Sequence, residues 1–275
     1  MRSFLTRSVV AVVAIPILLW IFHQGGWWLR GLVGVLIVIG SHEAWVMARG
    51  RGAAFPVIVV IILALAVPGC LLQKGLPWVA WLTLTILAGA FSSIWRRDPD
   101  RAAFGAAAQM VTALWLGLGF GSWIILREVD SGFGFAWLVF LFANLWIGDT
   151  AAYLFGVWLG DARLSPVISP KKTIAGSVAQ LSVSGLIGLV YAWRGWIAAP
   201  AGLLITAALV IAVVGQAGDL FESIWKRAAG VKDSSALIPG HGGVLDRFDS
   251  ALFAAPGLVA LLQLWNALGL SMAAR

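Results

Sequence analysis

Asp219, Glu222, Ser223 and Lys226 are spaced i, i+3, i+4 and i+7. On a helix they would set two carboxylates, a hydroxyl and an ammonium along one stripe. The segment SIWKRAAGVKDSSALIPGHGGVLDRFDS, residues 223–250, then adds Arg227, Lys232, Asp233, His241, Asp246, Arg247 and Asp249 between two long apolar runs. Carboxylates are hard oxygen donors for a divalent metal, and Lys, Arg and His hold phosphate oxygens. Pro239, Gly240, Gly242 and Gly243 would let the backbone approach a ligand closely. Asp246 and Asp249 add little to membrane orientation, so a bound cation with a polyphosphate explains the mixture best. Asp249 also has a simpler reading, as the cap of a helix that begins near Ala251.

A second polar connection, GDARLSPVISPKKTIAGS, covers residues 160–177. Ser165-Pro166 and Ser169-Pro170 are turn signals. Lys171, Lys172 and Thr173 then lead into an apolar run, and cations beside free amides at a helix start favour phosphate. Topological anchoring is the plainer reading of the two lysines. Ionisable groups within or near apolar spans are costly and are therefore functional candidates. Asp149 is one, with Asn144 and Thr150 beside it in NLWIGDTAAYLFG. His42 and Glu43 in GSHEAWVMARG are others, for which a hydrogen-bonded contact between helices is the simpler account. No P-loop, H-E-x-x-H, G-x-S-x-G or C-x-x-C pattern is present.

The elements that must position these groups are oily. The chain has 275 residues, 61% hydrophobic and 11% charged, with mean hydropathy +0.94; a soluble domain carries about 25% charged residues. Nine apolar runs stand out, near 8–22, 28–47, 55–72, 76–94, 105–126, 133–155, 174–192, 197–217 and 251–270. In lipid each backbone amide needs a partner within its own segment, so helices are expected. The fold class is an all-α polytopic membrane protein of about nine spans. Residues 1–130 form about five of them, and 131–275 form a catalytic region of about four. Alternating the connections puts fourteen of the nineteen basic residues on one face. That face should be cytoplasmic, with the N-terminus inside and the C-terminus outside. The two arginines and apolar stretch at the N-terminus read as a retained first span, since no small-x-small cleavage site follows. Of sixteen tryptophans, Trp27, Trp28, Trp78, Trp95, Trp123, Trp193 and Trp196 fall near span ends and read as an interfacial belt. The net charge of +7 belongs mainly to one face, which suits anionic headgroups and not nucleic acid. One cysteine, Cys70, allows no intrachain disulfide. A transporter would place charges near midplane and repeat its halves; here the polar clusters lie at one face.

Ser223, Lys226-Arg227, Lys232-Asp233, His241-Gly242-Gly243, Asp246-Arg247 and Asp249 closely resemble the characteristic stretch of phosphatidate cytidylyltransferases, the CDP-diacylglycerol synthases. GDTAAYLFG with SPKKTIAGS resembles a second block of that family. Trp225 departs from the usual aliphatic residue or Phe, and Ala175 stands where Glu or Gln is common. The resemblance implies transfer of the cytidylyl group of CTP to phosphatidate, giving CDP-diacylglycerol and pyrophosphate in phospholipid biosynthesis. It implies a Mg²⁺-dependent site with or without a second cation, a homodimer, and a bacterial plasma membrane with the site facing the cytoplasm. Asp219, Asp246 and Asp249 are then the expected metal ligands. Ser223, Lys226, Arg227, Lys232, His241 and Arg247 are the expected catalytic groups, and Lys171, Lys172, Thr173, Asp149 and Asp233 the substrate-binding ones. The attacking lipid phosphate is already anionic, so no strong base is required. A CTP-dependent lipid kinase, another cytidylyltransferase or a transporter of anions are the competing readings.

Overall fold

The computed structural model describes residues 2–270 except 54, 73–76, 95, 130–131, 239 and 241, with backbone alone for 2–11, 71–72 and 77–78. Each of the nine apolar runs is helical. The helices are α1 (Arg2–Gln24), α2 (Gly26–Gly50), α3 (Val57–Leu72), α4 (Pro77–Ile94), α5 (Pro99–Glu128), α6 (Gly134–Leu159), α7 (Ile174–Arg194), α8 (Ala201–Ala229) and α9 (Leu245–Ala267). Among the described residues six of these, α2 and α5 to α9, are long and apolar enough to cross a membrane.

Helix ends follow backbone hydrogen bonding and not hydropathy. α5 starts at Pro99, six residues before its apolar run. Asp98 Oδ1 accepts from the amides of Asp100 at 3.1 Å and Arg101 at 3.2 Å, and proline at the first helical position has no N–H to satisfy. α8 continues twelve residues past the expected edge at 217, so Asp219 to Arg227 are helical. α9 begins at Leu245 and not near 251. Asp249 is therefore inside that helix and does not cap it.

The connection at 160–177 is not all turn. β1 (Arg163–Ser165) pairs antiparallel with β2 (Ser169–Thr173), Arg163 opposite Thr173 and Ser165 opposite Ser169. Pro170 is tolerated because each strand of a two-stranded ribbon has an open edge.

The chain divides into two compact units. The first comprises Met1–Ile125 and Ile224–Phe248. Its core gathers Ala48, Phe55, Val60, Leu63, Ala108 and Ala113. A second aromatic group stacks Trp123 edge-on to Phe22, Phe120 and Phe248 at centroid distances of 5.8, 5.3 and 5.2 Å. Trp123 is fully buried, so it belongs to the core and not to an interfacial belt. Trp27 and Trp28 are exposed, and the Arg30 guanidinium lies 5.4 Å from the Trp27 ring. The side chain of Trp78 and all of Trp95 lie outside the described residues.

The second unit comprises Leu126–Ser223 and Asp249–Arg275. Its helices approach through small residues, as is usual between helices in lipid. A Cβ on Gly176 of α7 would lie 2.6 Å from Ala152 O of α6, and one on Gly218 of α8 would lie 2.6 Å from Asp249 O of α9. Trp193 and Trp196 are exposed in this unit, both flanking the Arg194 guanidinium at 5.6 Å.

Candidate active site

In the second unit a cavity of about 620 Å³ is lined by α6, the hairpin, α7 and α8. α6 contributes Asp149, the hairpin Arg163, Lys171, Lys172 and Thr173, α7 Gln180, and α8 Gln216 and Asp219. Lys172 Nζ lies 2.6 Å from Asp219 Oδ2 and ties the hairpin to α8. Gln180 Nε2 donates to Asp149 Oδ1 at 2.9 Å and does the same between α7 and α6. Ser223 Oγ stands 3.5 Å from Asp219 Oδ1, one turn along α8. The wall is thus cationic on the hairpin and anionic on the helices.

Thr173 shapes the wall. It is the N-cap of α7, its Oγ1 accepting from Gly176 N at 3.1 Å. A Cβ on Gly156 would lie 2.9 Å from that oxygen, and one on Gly160 would strike Gly156 O. The two glycines let the end of α6 pass directly over the capped start of α7. Lys171 and Lys172 precede the cap and so enter the cavity beside the positive end of that helix.

In the first unit two buried carboxylates hold the segment before α9. Asp246 Oδ1 accepts from Lys226 Nζ at 2.7 Å. Its Oδ2 accepts from Ser234 N at 2.7 Å, Ser234 Oγ at 2.8 Å and Gly243 N at 2.8 Å. Asp246 is 4% exposed and Lys226 12%. Glu43 of α2 accepts from the Ser235 hydroxyl and from the Val244 and Leu245 amides, and its Oε2 lies 3.1 Å from Ser234 Oγ. The glycines are explained here. A Cβ on Gly243 would collide with Ser234 Oγ and the Glu43 carboxylate, and Gly242 has φ +82 with Asp246 Oδ2 against it.

Arg227 donates to Val231 O at 3.5 Å and is exposed. Lys232, Asp233 and Arg247 are exposed. Asp249 Oδ1 lies 2.6 Å from the amide of Ser250, and among the described residues Asp249 does not line the cavity. His241 lies outside the described residues. The structure thus gathers Asp149, Lys171, Lys172, Thr173 and Asp219 around one cavity, and Lys226 with Asp246 in one buried cluster. Gln180, Gln216, Arg163, Ser234 and Ser235 were missed by the sequence reading. Gln180 carried a signal, as an uncharged polar residue inside an apolar run. The two serines carried none.

The donor set of the cavity fits Mg²⁺. Asp149 and Asp219 present carboxylates to the same space, with the side-chain amides of Gln180 and Gln216 beside them. No cluster of three or more His, Cys, Asp or Glu side chains forms among the described residues. Mg²⁺ needs none, since it is held by one or two carboxylates while phosphate oxygens and water fill its other positions. Asp246 is differently placed. Its Oδ2 is saturated by three donors, and its Oδ1 is shared with Lys226.

The cytidylyltransferase family model matches residues 5–265. The phosphatidate cytidylyltransferase of Staphylococcus aureus (strain COL) is 34% identical over 262 residues, covering 93% of this chain and 98% of the relative. Those of Staphylococcus epidermidis (strain ATCC 12228 / FDA PCI 1200) and Staphylococcus haemolyticus (strain JCSC1435) are 34% and 33% identical over 260 residues each, with the same shares covered. With a family match over residues 5–265 and relatives 34% identical over 93% of its length, this chain belongs to the cytidylyltransferase family.

Proposed function

We propose that the protein transfers the cytidylyl group of CTP to phosphatidate in the membrane leaflet, releasing pyrophosphate and leaving CDP-diacylglycerol. The observation that carries this reading is the cavity in which Lys171, Lys172 and Arg163 face Asp149 and Asp219. Joining two polyanions requires cations to offset their repulsion and to stabilise the departing pyrophosphate. Lys171, Lys172 and Arg163, which line the cavity, would bind phosphate oxygens. Asp149 and Asp219 would hold Mg²⁺, which when bound withdraws charge from a phosphoryl group. Gln180 orients the Asp149 carboxylate and Lys172 that of Asp219. The lipid phosphate attacks the α-phosphorus of CTP directly, so no residue is needed as a strong base. From the family resemblance alone, Arg227, Lys232, His241 and Arg247 are further groups proposed for phosphate contact, and Asp233 for substrate binding. A homodimer completes this reading.

The test is product analysis. Purified protein is given CTP labelled at its α-phosphate, phosphatidate and Mg²⁺. Label in the lipid fraction supports the reading. Label confined to water-soluble nucleotides refutes it, and in a parallel reaction with CTP labelled at its γ-phosphate, label in the lipid would mark a lipid kinase.

Two predictions accompany this reading. Neutralising both lysines, Lys171→Gln with Lys172→Gln, should lower kcat/KM for CTP by about tenfold to a hundredfold, two charge-assisted phosphate contacts being lost. Unchanged kinetics would return both residues to topological anchoring. The second concerns orientation, with the N-terminus in the cytoplasm, the C-terminus outside and the site facing the cytoplasm. In a Cys70→Ala background, cysteines introduced at 100, 168 and 235 should be labelled from the cytoplasmic side and one at 195 from the other. Labelling of 100 and 235 from opposite sides would end this topology.

A further inference from the structure

We infer that Glu43 is a positioning residue, which fixes both ends of the segment Ser234–Leu245 on one buried carboxylate and so sets the cations around that segment for phosphate. The inference rests on the cytidylyl-transfer reading above and extends it to a residue of α2, far from the signature stretch.

Glu43 is 3% exposed, in the last two turns of α2. Its Oε1 accepts from Ser235 Oγ at 2.7 Å and Val244 N at 3.0 Å. Its Oε2 accepts from Leu245 N at 2.9 Å and lies 3.1 Å from Ser234 Oγ. Ser235 Oγ donates from the start of the segment and the Val244 and Leu245 amides from its end, while the single Ser234 hydroxyl proton is shared between Glu43 and Asp246. The Val244 and Leu245 amides open α9 and would otherwise lack acceptors, and a carboxylate is the best partner for such a helix start. Ser234 and Gly243 are also bound by Asp246, so the two carboxylates close one loop from two sides. A loop of this length with four glycine or proline positions would sample many conformations unless its ends were fixed. Pro239, Gly240, His241 and Gly242 lie between those ends, Lys232 and Asp233 lie just before, and Arg247 just after. Glu43 touches none of these side chains among the contacts described, so its influence on them runs through backbone placement.

The experiment pairs kinetics with amide exchange on the full-length protein. Glu43→Gln keeps the volume but faces donors with an amide group. It should lower kcat/KM for CTP by ten- to a hundredfold, while the Val244 and Leu245 amides exchange at least tenfold faster than in wild type. Ser235→Ala, which removes one donor and leaves the carboxylate intact, should give a smaller change of the same kind and serves if Glu43→Gln fails to fold. A variant with faster exchange at Val244 and Leu245 but kcat/KM within twofold of wild type would overturn the inference. So would lost activity with exchange unchanged, or lower yield and melting temperature with normal turnover per folded molecule. A wild-type protein that makes no labelled CDP-diacylglycerol would instead refute the function reading. Exchange at the two amides would still decide whether Glu43 anchors the loop.

Discussion

Asp219→Asn is expected to slow cytidylyl transfer by about a thousandfold, the several kcal/mol of transition-state stabilisation that a correctly held metal supplies. Asn has nearly the same size and retains one oxygen, but it removes the charge that would attract Mg²⁺ into the cavity. The fold should survive. Lys172, which pairs with Asp219 at 2.6 Å, is 27% exposed, and losing a pair that water reaches costs about 1 kcal/mol or less. The measurement is turnover across a Mg²⁺ titration, with the melting temperature as control. The requirement for Mg²⁺ should rise as kcat falls. Turnover within tenfold of wild type at the same Mg²⁺ concentration would remove Asp219 from the reaction.

The second large effect is on stability. Lys226→Met should destabilise the protein by about 3–5 kcal/mol, the cost of leaving a buried carboxylate without its cation. Asp246 would keep its three neutral donors from Ser234 and Gly243, but these do not cancel a full charge on a side chain only 4% exposed. Denaturant unfolding in detergent micelles would read the loss. Adding Asp246→Asn to Lys226→Met should recover part of it, because a neutral amide needs no ammonium beside it. Wild-type stability in Lys226→Met would show that the pair contributes nothing to the fold. Asp246→Asn alone separates two roles for this residue. A metal ligand would shift the Mg²⁺ requirement and leave unfolding untouched, whereas a loop anchor would lower stability.

The helices were legible because an apolar run of about twenty residues admits no other backbone state in lipid. Their ends were less so. Hydropathy reports contact with lipid, and the last three turns of α8 and the first turn of α9 are polar yet helical. Asp98 marked the true start of α5 through its capping side chain, a signal the apolar count passed over. The hairpin was hidden because Ser-Pro pairs read as turns and strands of three and five residues leave no periodic pattern. Around the cavity, Asp149 and Asp219 were legible as charges at the ends of apolar runs, and Lys171 and Lys172 as cations beside a helix start, where topological anchoring was the plainer reading. Their arrangement was not, since Lys172 meets Asp219 only after a helix and its turn have folded back. Glu43 had been weighed as an interhelical contact, and its partners lie 191 to 202 residues away, a separation at which spacing rules carry no information.

That separation has a consequence for biogenesis. Ribosomes add about 5–20 residues per second, so Glu43 is made roughly ten to forty seconds before Ser234, Val244 and Leu245 exist. During that interval the insertion machinery handles a span bearing a carboxylate whose permanent donors are still untranslated. A charge in this state is tolerated near the end of a span, where water and headgroups can solvate it, and not at the centre. Glu43 lies nearer the midpoint than the end of the twenty-five-residue helix Gly26–Gly50, so its charge stays costly until those donors arrive. The nascent chain therefore carries an open hydrogen-bonding socket until almost the last helix arrives, and a chain stopped short of residue 234 would keep it open.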